Sequence, residues 1–295
     1  MRILFATDGS PEALRAQELL GTLALNSGTE ILIASVVPRM GLLEYRDPEE
    51  RDGQPWLSSA ELRAAQAVAD EAAYRLAKAG VATESLVTGG HPAEEICRMA
   101  EEKQAAFIVM GSHGRSGLAR FFLGSVSQRV VKHAPCPVLA VKSATVSIER
   151  VLIGVDGSDC SRRALAFVRW FPFPSNVSLT VAHVVHVPMP FRGGTGGHYE
   201  SEELALAVEK VRLAAEAEGK RILEEASECL RNAHRVETRM ATGPPARSLV
   251  DLAASTNADL VVVGSRGLTG VKRFLLGSVS LQVCEHAPGS VLVVR

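Results

Sequence analysis

The chain repeats itself, and nothing else in its sequence limits the fold as tightly. RILFATDGS at Arg2–Ser10 returns as RVLIGVDGS at Arg150–Ser158, an offset of 148 residues. GSHGRSGLARFFLGSVS at Gly111–Ser127 returns as GSRGLTGVKRFLLGSVS at Gly264–Ser280, with eleven of seventeen positions identical and the offset grown to 153. HAPCPVLAVK near the middle is matched by HAPGSVLVVR at the end. One unit is therefore written twice, with about five residues inserted into the second copy. Its period is too long and its copies too few for a solenoid. At 295 residues, and roughly 150 residues per domain, the expectation is two tandem domains, 1–143 and 149–295, joined near Ser143–Glu149.

Each copy alternates short apolar runs with amphipathic ones. In the first, Ile3–Thr7, Glu30–Val37, Val81–Thr88, Ala106–Met110 and Pro137–Val141 read as strands. Between them a helix starts at Ser10-Pro11 and runs to a stop at Gly28. A second opens on the capping box Ser58-x-x-Glu61 and ends at Gly80; further helices span Pro92–Lys103 and Ser125–His133. The second copy repeats this order, with a Gly-rich connection at Arg192–Gly197 and a long helix from Ser201 to Arg231. Strands apolar on both faces and separated by helices imply parallel β-α-β units covered on both sides. Such sheets bind ligands beyond the carboxyl ends of the strands, where strand order reverses.

Those strand ends carry a repeated pattern. Met110-Gly111 leads to Gly114 and, after nine intervening residues, Gly124-Ser125; Val263-Gly264 leads to Gly267 and Gly277-Ser278. Glycines let main-chain N–H groups approach a ligand, and the following helix, opening with Ser125-Val126-Ser127 or Ser278-Val279-Ser280, offers a positive N-terminus and hydroxyl donors to an anion. The alternative reading gives these residues only turn and capping roles. After the first strand of each copy, Ala6-Thr7-Asp8 and Gly154-Val155-Asp156 supply a carboxylate suited to ribose hydroxyls, or to an Asx turn with Gly9 or Gly157.

At these residues the chain resembles the universal stress proteins, specifically tandem two-domain members of the ATP-binding type. The signature G-x2-G-x9-G-[S/T], the aspartate after the first strand and the HAP-x-x-VL-x-V ending are all present twice. One position departs: Ala6 and Gly154 stand where the ATP-binding branch often has proline. The resemblance implies two Rossmann-like domains of the adenine nucleotide alpha hydrolase-like α/β class, each an open five-stranded parallel sheet in the order 3-2-1-4-5. It implies one ATP site per domain, with adenine against the main chain of Val36 or Val184 and ribose at Asp8 or Asp156. Phosphates would meet Gly114, Gly124, Ser125 and Ser127, or Gly267, Gly277, Ser278 and Ser280, with Mg²⁺ or Mn²⁺ bound through them. It further implies a stress-response role, a homodimer, and intrachain pairing of the two domains through their last strands.

Other features set limits. Lys+Arg 32 against Asp+Glu 33 gives no broad cationic surface for nucleic acid. No apolar run reaches the roughly 18 residues of a membrane span. The opening MRILFATDGS lacks the basic n-region of a signal peptide. Five widely spaced cysteines without a CxxC read as reduced thiols in a cytoplasmic protein. His113 becomes Arg266 in the repeat and so is not read as a catalytic base. His113, Arg115, Arg266 and Lys272 read as phosphate-neutralising or solvated loop residues, and Arg120 and Arg273, at matching positions, as residues with a phosphate or inter-domain role. His133 and His286 read as histidines satisfying helix C-terminal carbonyls. With no matched general base, the expectation is a nucleotide-binding regulator that hydrolyses ATP slowly if at all; the alternatives are an interaction adaptor with vestigial loops, or a metal-dependent ATPase.

Overall fold

Strands that are apolar on both faces need cover on both, and the chain supplies it twice. The computed structural model describes residues 1–38, 59–78, 80–114, 123–142, 145, 147–187, 202–231 (side chains from 206), 235–267 and 276–295. The first half runs β1 (Arg2–Ala6), α1 (Pro11–Thr22), β2 (Glu30–Pro38), α2 (Ser59–Lys78), β3 (Ala82–Gly90), α3 (Pro92–Glu102), β4 (Phe107–Gly111), α4 (Ser125–His133) and β5 (Val138–Val141). The second runs β6 (Arg150–Gly154), α5 (Asp159–Val168), β7 (Ser178–Val185), α6 (Glu202–Arg231), β8 (Arg235–Thr242), α7 (Pro245–Ser255), β9 (Leu260–Gly264), α8 (Ser278–His286) and β10 (Ser290–Val294).

These strands form one ten-stranded sheet in the order β3-β2-β1-β4-β5-β10-β9-β6-β7-β8. Within each half the pairs are parallel; β5 and β10 meet antiparallel, with Val291 opposite Ala140 and Val293 opposite Val138. Central β1, β4 and β9 bury Ile3–Phe5, Phe107–Val109 and Leu260–Val262 completely. Outer β3 and β8, reading ATESLVTGG and RVETRMAT, stay partly exposed, as mixed strands at sheet ends do. Buried residues of α1, α2, α5 and α6 pack on one face and those of α3, α4, α7 and α8 on the other.

Where the halves meet, side chains from both fill the core. Phe107 of β4 touches Phe167 edge-on at 5.9 Å between ring centres and Phe171 at 5.3 Å. The connection between the halves is also fastened: Thr145 Oγ1 accepts from the Ser290 amide at 3.2 Å and the Ser290 hydroxyl at 2.8 Å. The residues after β5 and β10 cross over. Lys142, 5% exposed, donates through Nζ to Ala287 O at 2.6 Å and Glu285 O at 3.3 Å, capping α8. Arg295 donates to Val131 O at 2.7 Å in the last turn of α4. These carbonyls thus receive cations from the opposite half, a role the sequence had suggested for His133 and His286.

Two helix ends differ from the sequence reading. Ser10 does cap α1, accepting from the Ala13 amide at 3.3 Å with Pro11 at the first helical position. The helix stops at Thr22, well before Gly28. Leu23 turns extended and buries its side chain, and the Ala24 amide donates to Pro172 O of the second half at 2.9 Å. A contact remote in sequence replaced the glycine as the stop signal. Ser58 of the capping box and the Arg192–Gly197 stretch lie outside the described residues.

Candidate functional site

The end of β1 and the loop after β4 are built against each other. Asp8 Oδ1 accepts the Ser10 amide at 3.0 Å, closing an Asx turn over Gly9, whose φ of +72° suits glycine. A Cβ on Gly114 would stand 2.6 Å from Asp8 Oδ2, and one on Gly111 2.8 Å from the main chain of Glu12 at the start of α1. Neither position tolerates a side chain without displacing its neighbour. The second half repeats the geometry: Asp156 Oδ1 accepts from Ser158 at 3.0 Å, Gly157 has φ +78°, and a Cβ on Gly267 would lie 2.6 Å from Asp156 Oδ2. On Gly264 it would lie 2.8 Å from the main chain of Cys160.

Helices α4 and α8 start from Gly124 and Gly277, and neither has a side-chain cap. Their first-turn amides and the positive end of the helix dipole therefore face the strand ends ready for an anion. Ser125 and Ser278 are exposed there. Ser127 and Ser280 are not: both are buried, and their hydroxyls donate to Ser112 O at 2.5 Å and to Gly264 O at 2.6 Å. Together with the Gly124 amide on Ser112 O and the Gly277 amide on Ser265 O, both 2.8 Å, they fasten the helix start to the strand. The sequence had these two hydroxyls pointing at phosphate; the local main chain claims them instead.

In the first half the walls enclose a cleft of about 430 Å³. It gathers Ala6 from β1 with Thr7 and Asp8 just after it, Val36 from β2, Met110 and Gly111 from β4, Gly114, and Gly124 to Ser127 at the start of α4, every residue the sequence placed at this site. It also uses residues the sequence reading missed: Ser35, Glu61, Ala65 and Val68 of β2 and α2, and Ile96 of α3. Their signal was a stretch of small side chains on an amphipathic helix, which any helix packed on a sheet could show. His113 lines the cleft too. Its Nδ1 lies 3.1 Å from Ser112 Oγ, its Nε2 is buried without a partner, and burial holds the imidazole below the usual histidine range, outweighing the pull of Glu12.

The second half keeps Gly154, Val155, Asp156, Val184, Val263, Gly264, Gly267, Gly277, Ser278, Val279 and Ser280 at the matching strand ends and helix start. Its walls differ. His183 Nδ1 lies 2.9 Å from Val155 O. Ile222 of α6 would be 3.0 Å from a Cβ on Gly157, and Leu249 of α7 3.0 Å from one on Gly154. A more open hollow of about 470 Å³ starts from this frame at Gly157, Ser158 and Gly267 and is lined further by the first turn of α5 with Arg162, Arg163 and Arg266. Arg115, Arg120, Lys272 and Arg273 fall outside the described residues.

Comparison with known proteins follows the same two-part division. The model of the universal stress protein family matches residues 1–142 and again 147–295. Universal stress protein Rv2005c of Mycobacterium tuberculosis is 36% identical over 201 residues, which make up 65% of this chain and 62% of that protein; the match thus spans less than two thirds of these mycobacterial relatives. YxiE of Bacillus subtilis is 33% identical over 148 residues, 50% of this chain and 98% of that one. The crystal structure of a universal stress protein from Archaeoglobus fulgidus superposes with a TM-score of 0.63 at 23% identity, covering 100% of this chain and 96% of the other. No helix among the described residues is long and apolar enough to cross a membrane.

Proposed function

The chain belongs to the universal stress protein family, and from that premise we propose that the cleft of its first half binds ATP, making the protein a nucleotide-dependent regulator of a stress response. One observation carries this reading. The Asp8 carboxylate, the side-chain-free Gly114 pressed against it and the uncapped start of α4 all open into the same cleft. A nucleoside phosphate needs these three things: an acceptor for ribose hydroxyls, main chain that can approach a phosphate closely, and a fixed positive dipole. Adenine would lie along the main chain of Val36, between the apolar walls of Val68 and Ile96. With the Ser112 hydroxyl donating to Nδ1, a neutral His113 would carry its proton on Nε2 and present it to a phosphate oxygen.

These groups support binding. Phosphoryl transfer would in addition need a positioned water and metal ligands. Among the described residues no three His, Cys, Asp or Glu side chains gather as metal ligands, so Mg²⁺ or Mn²⁺ would arrive with the phosphates and be held by them. Pairing of β5 with β10 belongs to the proposal as well. It engages both last strands within one chain, so a homodimer would form through other surfaces.

Titration with ATP tests the reading. Gly114→Val pushes a methyl group toward Asp8 and should weaken binding by about 100-fold or more, close to 3 kcal/mol. Unchanged affinity in this variant, or no ATP binding by the parent chain, would overturn it.

A further inference from the structure

The repeated glycine loops suggest two equivalent sites, but their walls are not equivalent. In β2 and β7, Ala34 pairs with Ala6 and Ala182 with Gly154, so the next residues, Ser35 and His183, occupy matching places. The buried faces of α2 and α6 align in the same way: Ala69, Ala72 and Leu76 have the spacing of Leu223, Ala226 and Leu230. That alignment sets Ala65 against Gly219 and Val68 against Ile222. In the first half Thr7, Ser35, Ala65 and Val68 all line the cleft. In the second, His183 bridges two of the matching places, Val155 and Gly219, while Ile222 lies against Gly157. The His183 imidazole reaches Val155 O at 2.9 Å. It also packs so closely on α6 that a Cβ on Gly219 would come within 2.7 Å of His183 Cδ2.

We infer that the second half is closed to the nucleotide base by its own side chains, His183 and Ile222, and that the chain binds one adenine nucleotide, in the first half. The physical reason is volume. An imidazole replaces a serine hydroxyl, and isoleucine replaces valine and leans onto Gly157. The helix that carries it needs a glycine to fit against the ring. Protein interiors do not yield a cleft of this size without moving such groups. His183 is held in place by its hydrogen bond to main chain, so displacing it also leaves a carbonyl without its partner.

The inference rests on the first-half cleft being the nucleotide site, and the experiment separates the two claims. Calorimetric titration of the full chain with ATP should give one nucleotide per chain, and in Gly114→Val that single site should weaken about 100-fold with no tight site left. His183→Ser with Ile222→Val, which restores the first-half residues, should raise the stoichiometry to two. Two nucleotides bound by the parent chain would overturn the closure of the second half. A restored double variant that stays at one would show that these two residues do not decide it. No binding by the parent chain would instead sink the nucleotide reading itself. The first two measurements decide the matter even if the double variant fails to fold.

Discussion

The two halves share a frame and differ in what fills it. Asp8 and Asp156 make the same Asx turn, and a Cβ added to Gly114 or Gly267 would lie at the same 2.6 Å from the carboxylate. Ser127 and Ser280 fasten the same helix start to the end of a strand. One turn from this frame the likeness ends: the first half has Ser35, Ala65 and Val68 around a cleft, the second His183 packed on Gly219 and Ile222 packed on Gly157. Backbone positions where a Cβ would collide are governed by local geometry and survive duplication. Walls respond to the size of single side chains and drift freely.

The largest expected effect parts the halves themselves. Phe107→Ala removes a fully buried ring packed on Phe167 and Phe171 and should cost about 3–5 kcal/mol in denaturant unfolding. A loss below 1 kcal/mol would mean the halves do not depend on this shared core. Next comes the Gly114→Val loss of about 100-fold in ATP affinity, which tests the frame where it meets a ligand.

Asp8→Asn keeps the Asx turn but weakens the acceptor for ribose, and should reduce ATP affinity about 10-fold, a hydrogen bond to a charged group being worth roughly 1.5–3 kcal/mol. Parent-like affinity would assign the carboxylate to the turn alone.

One of the crossed caps, Lys142, titrates. Burial, only partly offset by Cys284 and Glu285, brings Lys142 down to about 8 from 10.5. Between these values the unfolded chain holds a proton that the native one has released, so stability should rise with pH from about 8, by at most about 1.4 kcal/mol per unit. Above pH 9 the sign reverses. Burial raises Cys97 to about 11 and Cys136 and Cys284 to about 12, so the unfolded chain loses thiol protons that the native chain keeps. Unfolding followed across this range should show a maximum near pH 9, and Lys142→Met should erase the rise while leaving the fall. A monotonic profile in the parent would contradict the buried ammonium.

The smallest effect lies on the surface. Arg75→Ala removes an exposed pair with Glu71, 2.7 Å apart across one turn of α2, and should change stability by about 0.3 kcal/mol. A loss above 1 kcal/mol would give the outer face of α2 a role in shaping the cleft.

Much of this was legible before any coordinates. The alternation of apolar runs set out the α/β order, Ser10-Pro11 marked the start of α1, and the first-half site residues proved to line one cleft. Gly28 misled because a tertiary hydrogen bond to Pro172 ended α1 earlier. The inward turn of Ser127 was hidden because a serine in a first helical turn can serve main chain or ligand equally well. Lys142 and Arg295 appear in sequence only as cations after a strand; their targets are carbonyls on the opposite half.

By itself the sequence determined the duplication, the parallel architecture and the places where a side chain is forbidden, since these follow from periodicity and from steric limits on neighbouring residues. The tertiary structure alone decided how the walls around the two frames differ. Free volume depends on how residues far apart in the chain, such as His183, Gly219 and Ile222, come together, and no local pattern records that meeting.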